Sequence, residues 1–338
     1  MRAHLNTAAK AIFIIGIFAV LISQDLLSLT SIETAISRWP WVLLGWGCMT
    51  CTTMIAIVRW HFLIRAQGVP IPLRKTLQSA FIGLFFNIFL PGSLSGDLVK
   101  GYYVVRAVPG HTAGTVSSIL FDRLVGMSGL IALATLALLV GNQGEWSGML
   151  GAPIVFAVLA VALGVTVFYV ALLAVSEERD PILRGLRFLA TRIKFAEKPL
   201  RVFEGVRVYH EKRSITLASI GVSLVAHAFL VGAWICYVQA IALEGIPTPA
   251  LFVVVPVGML VAAIPIGPAG IGTGHAAFLA IFSLLGSDRG ADLFNLVLVY
   301  QFIQAGFGGL VYLSVKANDP VSRDQLMNEM LEESAPAD

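Results

Sequence analysis

Two clusters of glycine, proline and polar residues interrupt an otherwise apolar chain, and the first has the residue types that bind anions. It reads FLPGSLSGDLVKGYY over residues 89–103. Glycines let the backbone turn and approach a ligand closely, and a helix that begins here leaves its first N–H groups unpaired. Those groups and the helix dipole favour an anionic group such as a phosphate. The candidate binding residues of this cluster are Pro91, Gly92, Ser95, Gly96, Asp97 and Lys100.

The second cluster, GPAGIGTGH at residues 267–275, repeats the pattern of proline, glycine, a hydroxyl residue and glycine. Aligning SGD (95–97) on TGH (273–275) makes the two clusters counterparts. Ser95 and Thr273 are then each predicted to cap the helix that follows. Broken helices of this kind build substrate sites in transporters, and the alternative is a loop that only packs against its neighbours. The second cluster adds the candidates Gly270, Gly272, Thr273, Gly274 and His275.

A polar residue follows each cluster at the same distance, because 26 residues separate Asp97 from Arg123 and also His275 from Gln301. A charged side chain near the middle of a membrane costs about 2.5–3.5 kcal/mol, so it needs a partner or a water-filled cavity. Asp97 and Lys100 can pair locally, since they lie three residues apart on one helix. We expect Arg123 to face Asp97 across a polar cavity.

Four other polar residues also lie in the predicted helices: Asp122, Arg59, His275 and His227. Asp122 precedes Arg123 and points about 100° away from it around the helix, so the two are expected to contact different partners. Arg59 is predicted to lie near the same cavity; alternatively, it extends from its helix end to the membrane interface. His275 is either a proton relay or a hydrogen-bonded packing residue, and the same choice applies to His227.

Composition places these clusters in a membrane protein, because 57% of the residues are hydrophobic, 13% are charged and the mean hydropathy is +0.84. Soluble domains are much more polar. Apolar runs of about 20 residues, the length that a bilayer core requires, predict six full crossings. These lie at residues 11–29, 41–64, 113–140, 149–175, 214–243 and 292–315. Apolar segments 76–90 and 250–265 run into the two clusters, which predicts half-helices.

Lysine and arginine accumulate in cytoplasmic loops, and this rule orients the chain. The amino terminus, the loop around Arg74 and Lys75, and the segment 176–213 are basic and are predicted to lie inside. Each glycine-rich cluster then becomes the tip of a re-entrant hairpin. The two hairpins enter from opposite faces, which is the arrangement of an inverted repeat in transporters.

The fold class that follows is an all-α, polytopic membrane helical bundle with about six full crossings and two re-entrant broken-helix hairpins in an inverted repeat. Residues 1–316 are predicted to form an integral membrane transport domain, with repeat A at about 41–140 and repeat B at about 214–316. Between them, the cytoplasmic loop 176–213 either lies as an amphipathic segment on the anionic inner leaflet or is a plain basic loop. Residues 317–338 are expected to form an acidic, disordered tail with a cytoplasmic terminus.

Three motifs in combination resemble a known family. NIFLPGSLSGDLVKGYY, ILFDRLVGMSGL and IPIGPAGIGTGHAAFLAIF are similar to the lysylphosphatidylglycerol synthetase transmembrane-region family, the flippase part of the multiple peptide resistance factor. The resemblance covers nearly the whole chain. It implies a cytoplasmic (inner) membrane protein that moves polar-headed lipids, either aminoacylated or sugar-carrying. The family usually has a glutamate and an arginine where this chain has His275 and Gln301, which does not fit a mechanism with two symmetric ionic gates.

From these observations we expect a flippase or transporter for an anionic, aminoacylated or glycosylated lipid. Membrane lipids are its predicted partners, with a separate lipid-modifying enzyme as a further option; no nucleic acid, metal, cofactor or catalytic residue is expected. No aminoacyl-transferring domain is recognised, and no phosphate-binding loop for ATP is found, so a gradient or a partner would drive transport. One alternative is a membrane-embedded transferase acting on a lipid phosphate, with Asp97 or Asp122 as base or metal ligand. Another is a non-catalytic scaffold for a lipid-modifying enzyme.

Overall fold

The computed structural model describes residues 29–89, 95–141, 148–175, 180–192, 197–264 and 270–317. This part of the chain forms helices and contains no strand. The helices are α1 (Leu29–Ser37), α2 (Trp39–Ala66), α3 (Leu73–Phe89), α4 (Ser95–Ala107), α5 (Thr112–Val140), α6 (Gly151–Ala174), α7 (Pro181–Arg192), α8 (Glu197–Glu211), α9 (Arg213–Ala240), α10 (Thr248–Ala262), α11 (Thr273–Ser283) and α12 (Gly290–Ala317). The predicted first crossing, Pro91, Gly92 and the predicted acidic tail lie outside the described residues.

Five of the described helices are long and apolar enough to cross a membrane: α2, α5, α6, α9 and α12. They match five of the six predicted crossings to within three residues at each end. The apolar side chains of α6 point largely outward, as Phe156 and Leu163 show with 71% and 66% of their surface exposed. A water-facing helix would not carry such a surface, whereas a lipid-facing helix requires it. These observations confirm a polytopic helical membrane protein.

Helices α2 and α9 have the most extensive helix–helix contact among the described residues, and they run antiparallel along their whole length. At one end, the Lys212 ammonium donates a hydrogen bond of 2.7 Å to the Ala66 carbonyl. At the other end, the Arg38 guanidinium donates one of 3.2 Å to the Gln239 carbonyl. Because each contact joins the beginning of one helix to the end of the other, the helix directions must be opposite.

Two pairs of short helices form hairpins where the sequence predicts half-helices. Helices α3 and α4 touch at Gly83 and Gly96, where a Cβ atom on either residue would overlap the carbonyl group of the other. In the second pair, α10 and α11, the ring of Phe278 fills the space that a side chain at Gly258 would need. Glycine at these positions therefore allows the hairpin arms to pack backbone against backbone or ring against backbone.

Each hairpin packs against two long helices, one from each half of the chain. The arms α3 and α4 contact α12 and α5, respectively. The arms α10 and α11 contact α5 and α12, respectively. If α2, α3, α4 and α5 are matched in order with α9, α10, α11 and α12, the contacts of one hairpin correspond to those of the other. The first arm of each hairpin therefore packs against a long helix of the other half of the chain.

The segment between the halves is not a loose loop, because α8 is packed into one end of the bundle. Tyr209 is fully buried, donates a hydrogen bond of 3.0 Å to the Leu63 carbonyl and stacks on Phe121 at 3.9 Å between ring centroids. Burial raises the pKa of Tyr209, so its hydroxyl keeps the proton it donates. Asp180 and Arg207 form a buried ion pair of 3.3 Å beside it. We call this end of the bundle, where α2 ends and α9 begins, the basic end.

The sequence analysis predicted a cytoplasmic loop at residues 176–213, and the described residues of this segment form two helices, α7 and α8. Their second helix is part of the packed core, whereas α7 exposes Phe188 and Leu189 between arginines. Only α7 retains the character of an amphipathic surface helix. The alternative of a segment lying on the leaflet therefore concerns α7 and not α8.

Candidate functional site

A polar cavity of about 320 Å³ lies between α2, α3, α4 and α5. Its volume is near the lower end of the range of about 300–1,000 Å³ that is typical of small-molecule sites. Glycine and small apolar residues form part of its wall, and charged side chains converge there from α4 and α5. Its polar lining consists of Thr52, Thr53, Asn87, Asp97, Lys100, Asp122 and Arg123. We call it the ion-pair cavity.

The carboxylate of Asp97 is shared by two cations. Lys100 approaches one oxygen at 3.1 Å from the same helix, and Arg123 binds the other oxygen from α5 through its Nε. Both predicted pairs are therefore present. Asp97 and Lys100 are 20% and 13% exposed, whereas Arg123 is 35% exposed and is the most accessible of the three.

Two further residues of the cavity were missed by the sequence analysis. The ring of Trp60 lies below the Lys100 ammonium, which is 4.0 Å from the ring centroid, a cation–π geometry. Asn87 has a buried Oδ1 atom that finds no hydrogen-bond partner in the described parts of the chain. A buried amide oxygen without a donor is costly, so this position suits a ligand N–H or O–H group. An asparagine in the apolar segment 76–90 was the available signal for it.

Asp122 binds Arg59, on the side of α5 away from Arg123. The Nε–Oδ1 distance is 2.9 Å, and the same guanidinium donates a bond of 2.8 Å to the Ser223 hydroxyl of α9. Asp122 and Arg123 therefore contact different partners, as predicted.

The structure also decides between the two interpretations of Arg59. Its side chain is only 6% exposed, so it does not extend to the membrane interface. It does not bind Asp97 either, but joins α2, α5 and α9 through Asp122 and Ser223. A buried charge that is fully paired in this way holds helices together. Arg59 lies next to the cavity and is not part of its lining.

The charged residues that line the cavity balance, with Lys100 and Arg123 against Asp97 and Asp122, and Arg59 beside it adds one cation. The amino-terminal end of α4 begins at Ser95 and adds a positive dipole end on the same side. The cavity is thus suited to an anionic group. Since the residues before Ser95 are outside the described part, its predicted capping role stays a prediction.

In the second cluster, the predicted cap residue is wrong by one position. Helix α11 begins at Thr273, and Gly272 occupies the cap position with φ of +85°. Left-handed backbone geometry favours glycine over threonine there. The Thr273 hydroxyl instead donates a hydrogen bond of 3.2 Å to the Gly270 carbonyl, and Gly270 also has a positive φ of +76°.

His275 is fully buried in this second helix junction. The Gly272 N–H donates to its Nδ1 at 3.4 Å, so its Nε2 carries the proton and donates to Asn295 at 2.9 Å. Phe294 covers the ring edge-on and also packs on Gly274. His275 thus has the environment of a packing residue and binds Asn295 rather than Gln301.

The two clusters are therefore similar in sequence but different in environment. The first meets a charged cavity, whereas none of Gly270, Gly272, Thr273, Gly274, His275 and Gln301 lines that cavity. Within the described residues, no group of three or more His, Cys, Asp or Glu side chains could hold a metal ion. The ion-pair cavity can therefore bind a ligand through its charges and hydrogen-bonding groups.

Comparison with known proteins gives one match. The sequence profile of the family described as "Lysylphosphatidylglycerol synthase TM region" matches residues 8–311, which is most of the chain. No curated protein and no solved structure matches it.

Proposed function

The chain belongs to the lysylphosphatidylglycerol synthase transmembrane-region family, and from this premise we propose that it is a flippase or transporter for a polar-headed lipid. The headgroup is anionic, aminoacylated or glycosylated. We place the protein in the cytoplasmic membrane, with both termini on the cytoplasmic side and membrane lipids as its partners. The basic end of the bundle, with Lys212, Arg74 and Lys75, supports this orientation because cytoplasmic loops are rich in lysine and arginine.

The observation that carries the proposal is the three-residue charge group Asp97, Lys100 and Arg123 in a cavity between two long helices and a short hairpin. Charged groups inside a membrane protein are expensive and mark substrate pathways unless they only pair with one another. The pair Arg59–Asp122 fits that structural role, since it is almost fully enclosed. The Asp97 group is more accessible and borders an open space.

In the proposed binding step, a lipid phosphate competes with Asp97 for Arg123. Arg123 is the more exposed partner and turns toward the phosphate, while Lys100 continues to neutralise Asp97. Asn87 accepts a hydrogen bond from an ammonium or hydroxyl group of the same headgroup. This combination of a cation and an unpaired acceptor suits a phospholipid whose headgroup also carries donors.

We propose that the two halves form an inverted repeat whose hairpins are re-entrant. The antiparallel course of α2 and α9 and the exchangeable packing of the two hairpins support this interpretation. Alternating access then arises as the halves move relative to each other around the cavity. Because the charged residues lie on one hairpin only, the proposed gate is asymmetric.

The decisive experiment is lipid translocation by the purified protein in vesicles. Fluorescent phosphatidylglycerol, an aminoacylated derivative and a glycolipid are compared for wild type, Asp97→Asn and Arg123→Gln. We expect movement of at least one of these lipids, and its loss in both variants. Arg187→Gln, which breaks an exposed ion pair with Glu204 on α7 and α8, is the matched control. Equal translocation by wild type and both cavity variants would overturn the proposal.

We further propose that transport involves no covalent step. Asp97 and Asp122 are both engaged by cations, which opposes their use as a general base. Turnover of a labelled lipid donor by the purified protein in the presence of Mg²⁺ would instead establish the transferase alternative. Translocation by the protein alone would argue against the scaffold alternative, in which a separate lipid-modifying enzyme is required.

A further inference from the structure

A second cavity, of about 610 Å³, lies at the basic end and contains a cluster of cations. Arg74 and Lys75 come from the first turn of α3, and Arg106 comes from the last turn of α4. Tyr103 and Ser314 add hydroxyl groups, and no described acidic residue lines the space. The cavity therefore has the charge and the hydrogen-bonding groups of an anion site. We call it the basic cavity.

An apolar groove of about 1090 Å³ continues from the basic cavity between α2, α3 and α12. The two spaces share Arg74, Gln78 and Ser314 in their linings. The groove walls are apolar side chains that include Leu77, Phe81, Ile303, Phe307 and Leu310. One continuous site thus has a charged end and a long apolar end.

Gln78 lies where the two spaces join. Its Oε1 atom is buried and has no hydrogen-bond partner in the described parts of the chain. Removing the free-energy cost of that unpaired acceptor requires a ligand N–H or O–H group. The glycerol backbone of a diacyl phospholipid has no such donor, but a headgroup hydroxyl of a lipid such as phosphatidylglycerol does, and the Gln78 amide N–H groups can donate to an ester carbonyl.

We propose that the basic cavity and the groove together bind one anionic phospholipid. Its phosphate lies among Arg74, Lys75 and Arg106, its glycerol region meets Gln78, and one acyl chain lies along the groove. A free phosphate would leave the groove empty, whereas the outward faces of Phe307 and Leu310, 52% and 65% exposed, allow a chain to enter from the membrane. The cations complement the phosphate, and lipid headgroup pockets near the cytoplasmic surface are commonly basic.

This site is separate from the proposed translocation site, because the ion-pair cavity shares no lining residue with the basic cavity or the groove. The inference does not depend on flippase activity. A phosphate that binds Arg74 and Arg106 together joins the start of α3 to the end of α4, the two open ends of the first hairpin. The bound lipid therefore holds this hairpin against α12.

The test is retention of lipid by the full chain, measured by native mass spectrometry after reconstitution with equal amounts of phosphatidylglycerol and phosphatidylcholine. We expect preferential retention of phosphatidylglycerol, and its reduction by about tenfold or more in R74Q/K75Q/R106Q, since each cation near a charged lipid contributes to binding. Arg184→Gln and Arg192→Gln on α7 form the control for a general loss of surface charge. Unchanged selectivity in the triple variant would overturn the proposal.

Two further experiments test whether the result arises from misfolding of the triple variant or from a site that binds phosphate alone. Leu310→Trp fills the groove from an exposed position, and we expect it to reduce retention of a long-chain lipid without affecting binding of a water-soluble short-chain analogue. Inorganic phosphate at the same concentration as the lipid should not displace it. Displacement by phosphate, or full retention in Leu310→Trp, would show that the groove does not hold an acyl chain. Translocation measured in parallel separates this site from the proposed function.

Discussion

Asp122 and Arg123 are adjacent in the chain, yet they bind partners on different faces of α5. Asp122 binds Arg59 in the enclosed junction with α2 and α9, whereas Arg123 binds Asp97 at the edge of a cavity. Neighbouring residues of one helix thus belong to two ion pairs, of which one joins long helices and the other joins a hairpin to them. The two pairs should respond differently to mutation.

Removing Asp97 should destabilise the protein more than removing Arg123. Asp97→Asn leaves two cations, Lys100 and Arg123, without their shared carboxylate, whereas Arg123→Gln leaves Asp97 paired with Lys100. We expect a loss of about 3 kcal/mol for Asp97→Asn, the lower end of the range for buried pairs, because these side chains are partly exposed. Unfolding in detergent measures the stability of both variants. A larger loss for Arg123→Gln than for Asp97→Asn would contradict the shared-carboxylate geometry.

Neutralising the enclosed pair Arg59–Asp122 should affect stability, whereas neutralising Asp97 and Arg123 should affect transport. Asp122→Leu leaves the buried guanidinium of Arg59 without a counter-ion, which should cost about 3–5 kcal/mol. The double variant R59M/D122L should recover most of that loss and should retain more lipid translocation than D97N/R123Q, although Asp122 also lines the ion-pair cavity. In contrast, D97N/R123Q should fold and fail to translocate. If both double variants translocate equally, the distinction between a structural pair and a gating pair is wrong.

Alanine at the hairpin contact should prevent the close approach of α3 and α4. A Cβ at Gly83 or Gly96 overlaps backbone atoms of the other helix, so Gly83→Ala should cost about 1–3 kcal/mol by overpacking. Gly164→Ala on α6 is the control, because no heavy atom lies within 4 Å of that Cβ and alanine favours helices by up to about 1 kcal/mol. Thermal unfolding should show a lowered midpoint temperature only for Gly83→Ala. Equal midpoints would show that the arms can separate freely.

Replacing His275 should affect stability rather than transport. His275→Ala removes the bonds to Gly272 and Asn295 and the buried ring that packs against Phe294, at a cost of about 1–3 kcal/mol. Translocation per folded molecule should equal that of wild type. Normal stability combined with lost translocation would place His275 on the transport pathway, as the proton-relay interpretation requires.

The sequence predicted the Asp97–Arg123 contact because the physical demands on it are simple. Charges in an apolar chain need partners, and equal spacing to the next helix identified the candidates. The long helices were predictable for a similar reason, since bilayer thickness fixes their length. Pairing of Arg59 with Asp122 had no such signal, because 63 residues separate them and only the packing of α2 on α5 brings them together.

Packing also explains what the charge pattern could not show in residues 176–213. Basic residues indicate the side of the membrane, but they do not show that Tyr209 is buried or that α8 contacts several helices. In the second cluster, the similarity to SGD suggested a cap at Thr273, whereas the left-handed backbone at Gly272 moved the cap by one residue. Local resemblance between two segments does not specify equal environments.

The packed position of α8 fixes the segment between the halves to the first of them. Tyr209 is bonded to Leu63 in α2, four residues beyond Arg59, and stacked on Phe121 in α5, one residue before Asp122. In the proposed transport cycle, α8 would therefore move together with α2 and α5. The connection between the halves would then have to bend between α8 and α9, at the basic end of the bundle.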